Sequence, residues 1–305
     1  MTSMVVVADA VPQWVAEPVV SYGGALRRPP GPGALVFLGF PHEHWDAAIE
    51  GRLPAVYGTR AYATALAAYL AKVAEALDGL AFVNSPAAVA VTRDKLAVKR
   101  TLLAAGVPTP RAHFPRTGAE LLELAAGGVY VKAICGSMGK GITHLRQDRW
   151  RTGYLFDGRA LRSPAGEHWP PREVPVGTEA LLDLLCSTDG FLFEEEIRGE
   201  ELRVTVVDGD VLRIDSRTAP ASGGDLPPEL WQAAAAGARA LSLRYAVFDV
   251  LLDAHRRPYL IDVQAFPALE TPPVLWRSIV DRLTRETPHH ERTVPCSPQR
   301  SSSTL

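Results

Sequence analysis

Val129-Tyr130-Val131-Lys132-Ala133, followed by Ile134-Cys135 and then Gly136-Ser137-Met138-Gly139-Lys140-Gly141, is the stretch on which the reading of this chain turns. Its first five residues are strand formers, and Lys132 emerges from that strand beside a loop of small residues. Such a loop exposes backbone N–H groups that can fold over phosphate oxygens, and a lysine at its edge adds charge. Two commoner phosphate motifs fail here. A Walker A loop ending at Lys140 needs glycine at 134 and Ser or Thr at 141, where the chain has Ile134 and Gly141. A dinucleotide fingerprint starting at Gly139 needs glycine at 144, which is His144. The loop also joins strand to strand, so no helix N-terminus is offered. A Gly-rich turn without any ligand remains the other reading, and the choice depends on what else the chain supplies.

Farther on, Val247 to Leu252 and Leu260 to Pro267 read as neighbouring apolar strands carrying Asp249, Asp262 and Gln264. Asp262 and Gln264 are two apart and share a sheet face. Carboxylates amid such runs are costly unless a cation or hydrogen bonds neutralise them. Two carboxylates and an amide oxygen make a hard-oxygen set of the kind Mg²⁺ takes together with nucleotide phosphates. The alternative is an open sheet with its polar residues in solvent. Between the loop and these strands lies Phe191 to Arg203, FLFEEEIRGEELR. The run Glu194-Glu195-Glu196 is either a solvated charge cluster or, with Ile197 and Glu201, a strand exit. Such an exit offers backbone to a base and a carboxylate to a ribose.

Outward from these motifs, the chain alternates strands and helices. Met4 to Ala8, Ala34 to Phe40 and Leu80 to Val83 read as strands around a helix over Tyr62 to Leu77, which predicts a small parallel α/β layer. Ser85-Pro86 opens a short helix, and Thr92 is the expected N-cap of the next, which stops at Gly106. A helix over Gly118 to Ala126 precedes the loop strand. A hairpin turns at Asp157-Gly158, and Ser163 to Pro175 reads as a Pro-rich surface excursion. Phe191 to Ile197, Leu202 to Val207 and Val211 to Arg217 read as strands. Helices are expected over Pro228 to Leu243 and Val274 to Arg285. Residues 286–305 have the composition of a disordered tail.

The whole chain has 305 residues, 47% of them hydrophobic and 22% charged, which excludes wholesale disorder. Lys plus Arg number 32 against 34 for Asp plus Glu, a net charge of −2, so no nucleic-acid footprint is present. Cys135, Cys186 and Cys296 are too scattered for a disulfide framework or a cysteine zinc site. Neither a signal peptide nor a membrane-spanning run is visible, so a cytoplasmic protein without membrane or nucleic-acid partners is expected. Pro41-His42-Glu43-His44-Trp45-Asp46 reads as a surface loop; a His-x-His metal pair would lack a nearby third ligand.

The three elements, in this order, resemble the ATP-grasp superfamily of carboxylate–amine ligases. The likeness is greatest to the branch of D-alanine–D-alanine ligase, glutathione synthetase and the ribosomal-protein glutamate ligases. It runs from about Asn84 to Glu270 and includes Asn84-Ser85-Pro86 and Arg93-Asp94-Lys95. It continues through the lysine strand and loop, Phe193 to Arg203, Asp249 and Asp262-Val263-Gln264, and ends at Pro267-Ala268-Leu269-Glu270. The resemblance implies an α/β (α+β) ATP-grasp fold with a small N-terminal α/β domain (1–91) and an ATP-grasp domain (92–285). The latter comprises a lid subdomain (about 109–195) and a C-terminal mixed-sheet subdomain. It implies that Lys95 and Lys132 bind ATP phosphates beneath the Gly136–Gly141 loop, Lys140 included. Glu194 to Ile197 would form the adenine hinge, Glu201 would hold the ribose, and Arg203 and Arg217 would serve the acyl-phosphate site. Asp249, Asp262 and Gln264 would hold one or two Mg²⁺. The family's usual pair at the last metal strand is Glu-x-Asn, so Asp262-x-Gln264 shortens the carboxylate and lengthens the amide. The implied reaction joins a small-molecule carboxylate to an amine, such as an amino acid or peptide, through an acyl phosphate, releasing ADP and phosphate. A non-catalytic ATP-binding module and a small-molecule kinase on the same scaffold stay open, as does a homodimer.

Overall fold

The computed structural model describes residues 3–217, 226–267 and 271–285. The expected tail over 286–305 lies outside these residues, as do Ala268, Leu269 and Glu270 of the last motif. The first sheet uses Met4–Val7 (β1), Val19–Val20 (β2), Leu35–Leu38 (β3) and Ala81–Phe82 (β4), all parallel, in the order β2-β1-β3-β4. Every residue of β1 and β3 is buried, as a parallel sheet covered on both faces requires. Around it run α1 (Tyr22–Arg27), α2 (His42–His44, continued by a π-helical turn over Trp45–Ile49) and α3 (Arg60–Ala76). The segment expected as a surface loop at 41–46 is therefore helical. Its reason is apolar spacing: Trp45 and Ile49, four residues apart, are both buried in the core.

Two short helices follow, α4 (Pro86–Thr92) and α5 (Lys95–Ala104). Ser85 caps the first by accepting from Ala88 N at 3.1 Å. Asp94, not the expected Thr92, caps the second: its Oδ1 accepts from Leu96 N and Ala97 N, each at 3.0 Å. Thr92 belongs to the end of α4, where its hydroxyl donates to Val89 O at 2.7 Å.

A second, wholly antiparallel sheet is built from Ala112–His113 (β5), Val129–Ala133 (β6), Thr143–Arg146 (β7) and Arg149–Thr152 (β8), with Arg172–Val174 (β11) and Phe191–Glu195 (β12); Leu155–Phe156 (β9) and Leu161–Arg162 (β10) form the expected hairpin beside it. Its order is β11-β8-β7-β6-β12-β5. Helices α6 (Gly118–Gly127) and α7 (Glu179–Ser187) set Leu121, Leu181 and Leu185 against Val129, Val131, Leu145 and Trp150. The Pro-rich excursion at 163–175 is more ordered than its composition suggests. It buries Trp169 and supplies the edge strand β11.

The third sheet is also antiparallel: Glu200–Val207 (β13), Asp210–Ser216 (β14), Tyr245–Leu252 (β15) and Pro258–Gln264 (β16), in the order β14-β13-β15-β16. Helix α8 (Pro228–Ala240) packs on it, and α9 (Pro273–Thr284) returns to the first sheet. There Phe37 of β3 stacks on Trp276 at 5.5 Å and meets Tyr245 edge-on at 5.1 Å. Asn84 fastens the same junction. Its Nδ2 donates to Tyr245 O and Ala265 O at 2.8 and 3.1 Å, while its Oδ1 accepts from Arg244 N and Tyr245 N at 2.9 and 3.2 Å.

Candidate functional site

Lys132 sits on β6 directly opposite Leu192 of β12, and Glu194 lies two residues on along β12, facing Tyr130. The period of two therefore sends Lys132 and Glu194 to the same face of the second sheet. There Lys132 Nζ lies 2.7 Å from Glu194 Oε2, and Lys99 Nζ of α5 lies 2.5 Å from Glu194 Oε1. Only 3% of the Glu194 side chain is exposed, which makes this a buried lysine–glutamate–lysine group. Burial alone would raise the carboxyl above its ordinary pKa, but the Lys132 and Lys99 ammonium groups reverse this and hold it below. For Lys132, burial works against the charge and Glu194 outweighs it, so its pKa rises. For Lys99, burial prevails and its pKa falls. Lys99 was not singled out by sequence, although it lies one helical turn from Lys95 and so shares its face.

On the facing sheet, β15 and β16 pair Asp249 directly with Asp262, with a register shift just beyond. Gln264 sits opposite Val247. Each aspartate is held by a cation. Lys95 Nζ is 2.6 Å from Asp262 Oδ1. Arg203 Nε and Nη2 are 3.0 and 3.4 Å from the two Asp249 oxygens, with Arg217 Nη1 3.7 Å from Oδ1. Burial would raise the Asp262 carboxyl, and the nearby Lys95, Lys132 and Arg93 lower it overall. Between the two sheets lies a cleft lined by Lys95, Lys99, Glu194 and Asp262 with Leu192 and Leu260. Lys95, Lys132 and the paired aspartates thus lie in one region together with Glu194, whose side chain pairs with lysines here and not with the backbone stretch Glu195 to Ile197.

Glu195, Glu196 and Ile197 end up elsewhere. Strand β12 stops at Glu195 and β13 starts at Glu200, so Glu196 to Gly199 is the backbone joining the two antiparallel sheets. The Glu195 carboxylate accepts from Arg111 N at 2.7 Å. Glu196 lies 3.3 Å from His144 and 3.5 Å from Arg146, over Gly128. These two glutamates brace this joining backbone by their side chains. Glu201, at the start of β13, lies 3.5 Å from Arg217 Nε and accepts at its carbonyl from Arg217 N at 2.9 Å.

The Gly-rich loop is a tight turn between β6 and β7, closed by Lys140 N donating to Ser137 O at 3.0 Å. Gly141 has φ +75°, and a Cβ there would fall 2.4 Å from Tyr154 Oη, so glycine is required twice over. Met138 at the tip is 77% exposed. Lys140, expected among the phosphate-binding residues of the loop, pairs with a carboxylate of the N-terminal region. Its ammonium lies 2.8 Å from Glu50 Oε1 and rests over the Tyr57 and Trp169 rings at 5.5 and 5.7 Å. The reason is aromatic: Tyr57 and Trp169 offer a π-face cage with a carboxylate behind it, which a lysine fills at 8% exposure.

Among the described residues no three His, Cys, Asp or Glu side chains gather into a metal cluster of their own. The donor set still suits a hard cation shared with phosphate. Two register-paired carboxylates and the Gln264 amide could offer oxygen atoms to such a cation. No helix among the described residues is long and apolar enough to cross a membrane.

A parallel sheet leading into two antiparallel sheets that clasp a lysine-lined cleft is the ATP-grasp fold. Solved structures match it over nearly the whole chain. The ATP-grasp ligase PsnB, complexed with minimal precursor, Mg and ADP, is 18% identical with a TM-score of 0.54, covering 93% of this chain and 99% of that one. D-cycloserine synthetase DcsG is 15% identical with a TM-score of 0.56, covering 92% and 99%. A RimK-domain ATP-grasp protein from Sphaerobacter thermophilus is 15% identical with a TM-score of 0.55, covering 90% and 95%. No family model matches the chain, and no curated protein does.

Proposed function

We propose that the chain is an ATP-dependent carboxylate–amine ligase working through an acyl phosphate. The observation that carries this reading is the shared cleft: Lys95 and Lys99 line it with Glu194 and Asp262, Lys132 pairs with Glu194, and Asp249 lies in register with Asp262. Cations for phosphate and oxygens for a metal are the two halves of a triphosphate site. In this reading residues 1–91 are the N-terminal domain, 92–285 the ATP-grasp domain, and about 109–195 its lid. Lys95 and Lys132 hold phosphate oxygens, and Glu194 holds both Lys132 and Lys99 in position until nucleotide arrives. Backbone from Glu194 to Ile197 meets the base, and Glu201 meets the ribose. Asp249, Asp262 and Gln264 would hold Mg²⁺, which when bound neutralises triphosphate charge.

A substrate carboxylate oxygen attacks the γ-phosphorus in line, forming the new O–P bond as the bond to ADP breaks. The amine nitrogen then attacks the acyl carbon, the C–O bond to phosphate breaks, and the nitrogen loses its proton. Arg203 and Arg217, already beside Asp249, stabilise charge on the transferred phosphoryl group and on the tetrahedral intermediate. An ADP-release screen over amino acids and short peptides with Mg²⁺, followed by product masses, tests the reading. Condensation with loss of water supports it. An added phosphate would mean a kinase, and ATP binding without ADP under every mixture would mean a binding module.

A further inference from the structure

Arg93 is the charged group that the proposed nucleotide chemistry leaves unused. It follows α4 and stands at the meeting point of all three sheets. Its guanidinium lies over the Phe40 ring at 5.6 Å and near the Cys135 thiol at the base of the Gly-rich loop, without a hydrogen bond of normal geometry to it. It acts electrostatically on Asp262 of β16 and on Tyr57. Its Nε and Nη2 are buried, yet neither finds a hydrogen-bond partner among the described residues. Buried charged donors without partners are costly and uncommon, so this pair is an observation about a ligand.

The identity of the two atoms matters. Nε and Nη2 form one edge of the guanidinium, with two parallel N–H bonds, and that edge takes a carboxylate bidentately. Phosphate fits the same edge, so the surroundings must decide. Lys95 and Lys99 already line the proposed phosphate cleft, and Lys132 pairs with Glu194 at its wall. Arg93 instead leans on Phe40, just past the C-terminal end of β3, where parallel sheets place ligands. Phe40 also lines a largely apolar pocket with Trp14, His42 and Trp276. Asp262, and with it the proposed transfer site, lies within electrostatic reach on the other side.

We propose that the Nε–Nη2 edge of Arg93 binds the carboxylate of the acid substrate, an organic acid whose apolar body lies against Phe40. This deepens the ligase reading and rests on it for the meaning of the acid, although binding at Arg93 can be measured without catalysis.

Phenylacetate is the probe, with 2-phenylethanol as its uncharged counterpart and inorganic phosphate as the competing anion. The Arg93 Nε–H signal of ¹⁵N-labelled protein, assigned with Arg93→Lys, is followed in titrations with and without Mg–AMPPNP. Phenylacetate should move that signal saturably, while 2-phenylethanol leaves it in place. Arg93→Lys, which keeps the charge beside Asp262, should weaken phenylacetate about tenfold or more and leave AMPPNP affinity unchanged, since one charge-assisted bidentate contact is lost. An unmoved Arg93 signal overturns the proposal, as does equal phenylacetate affinity in a folded Arg93→Lys variant. A response to phosphate matching that to phenylacetate reduces the site to an adventitious anion only. AMPPNP weakened while ADP is not would make Arg93 a γ-phosphate ligand instead. Failure of the wild-type chain to bind AMPPNP sinks the ligase reading alone, because the titration without nucleotide still decides the Arg93 site.

Discussion

Lys140 Nζ lies 2.8 Å from Glu50 Oε1, across ninety residues of sequence, and Glu50 Oε2 accepts in turn from the indole of Trp45. The Gly-rich loop is thereby tied to the N-terminal sheet by its own lysine. The tie is reinforced where Cys135 N donates to Gly58 O at 2.7 Å and Tyr154 Oη to Tyr57 O at 2.7 Å. Glu50→Gln keeps the shape and removes the charge. It should speed hydrogen exchange at 136–141 and cost about 1 kcal/mol of global stability, because the Glu50 end is partly solvated. Unchanged exchange in the loop would show that backbone contacts alone hold it.

The two lysines of this region should separate in activity. Lys132 pairs with Glu194 at the cleft wall, whereas Lys140 pairs with Glu50. Lys132→Ala is expected to lower substrate-dependent ADP release by about 10² or more, the scale for removing a group that stabilises developing charge. Lys140→Ala should mainly raise loop exchange while retaining most of the turnover. Equal losses in steady-state assays of the two variants would place Lys140 among the phosphate ligands after all.

Asn84 satisfies four backbone groups at once, three in buried hydrogen bonds and the Arg244 N–H in a part-buried one, with only 2% of its own surface exposed. Asn84→Ala strands two carbonyls and two N–H groups, most of them away from water. A loss of about 2–4 kcal/mol follows from the cost of buried unpaired groups. Asn84→Asp should be nearly as damaging, since it lacks the two donors. Urea denaturation measures both, and an aspartate variant as stable as wild type would show that the amide donors contribute little.

Periodicity and punctuation made most elements legible. β6 over Val129–Ala133 was readable from its strand formers, and β15 and β16 from their apolar runs. Cap chemistry was legible only in part: Thr92 and Asp94 are both good caps, and the choice fell to Asp94 once α4 absorbed Thr92. Helix α7 carried its signal in Leu181, Leu182 and Leu185 at helical spacing, and a pass attentive to that spacing finds it. In the site, Lys132, Asp249 and Asp262 could be nominated because charge inside apolar strands demands a partner. Which partner each has could not be read. Lys99 meets Glu194 and Lys140 meets Glu50 through pairings 95 and 90 residues apart, which local sequence does not encode. The order β11-β8-β7-β6-β12-β5 is non-local in the same way.

Glu194 supplies a pH test. Its carboxyl is held below the ordinary value of 4.5 because the two lysines overcome the effect of burial. A folded-state pKa below the unfolded one contributes stability that is fully present above the unfolded value. That stability is lost as pH falls through the folded value. Glu194→Gln leaves two lysines facing a neutral amide, and at pH 7 should cost about 3–5 kcal/mol, the range for breaking a buried ion pair. The gap should narrow as the solution is taken below the unfolded value, because wild type then loses the same charge. Urea midpoints across that range decide it. A gap that stays constant would assign the effect to packing.

Asp262 and Gln264 carry the chain's departure from the usual Glu-x-Asn pair, and the fold makes its consequence testable. Asp262 lies opposite Asp249 in register and already holds Lys95 at 2.6 Å. A metal recruited here must compete with that lysine through a carboxylate one methylene shorter than usual. Asp262→Glu with Gln264→Asn lengthens the first ligand and shortens the second, returning donor reach to the common arrangement. Mg²⁺ tolerates poor octahedral geometry badly, so better reach should appear as tighter metal binding. The Mg²⁺ concentration for half-maximal AMPPNP binding should therefore fall in the double variant and rise in Asp262→Asn, which loses a charge. Should the double variant need more Mg²⁺ than wild type, the native Asp–Gln pair is itself fitted to the metal, and the shorter carboxylate serves this cleft better than the longer one.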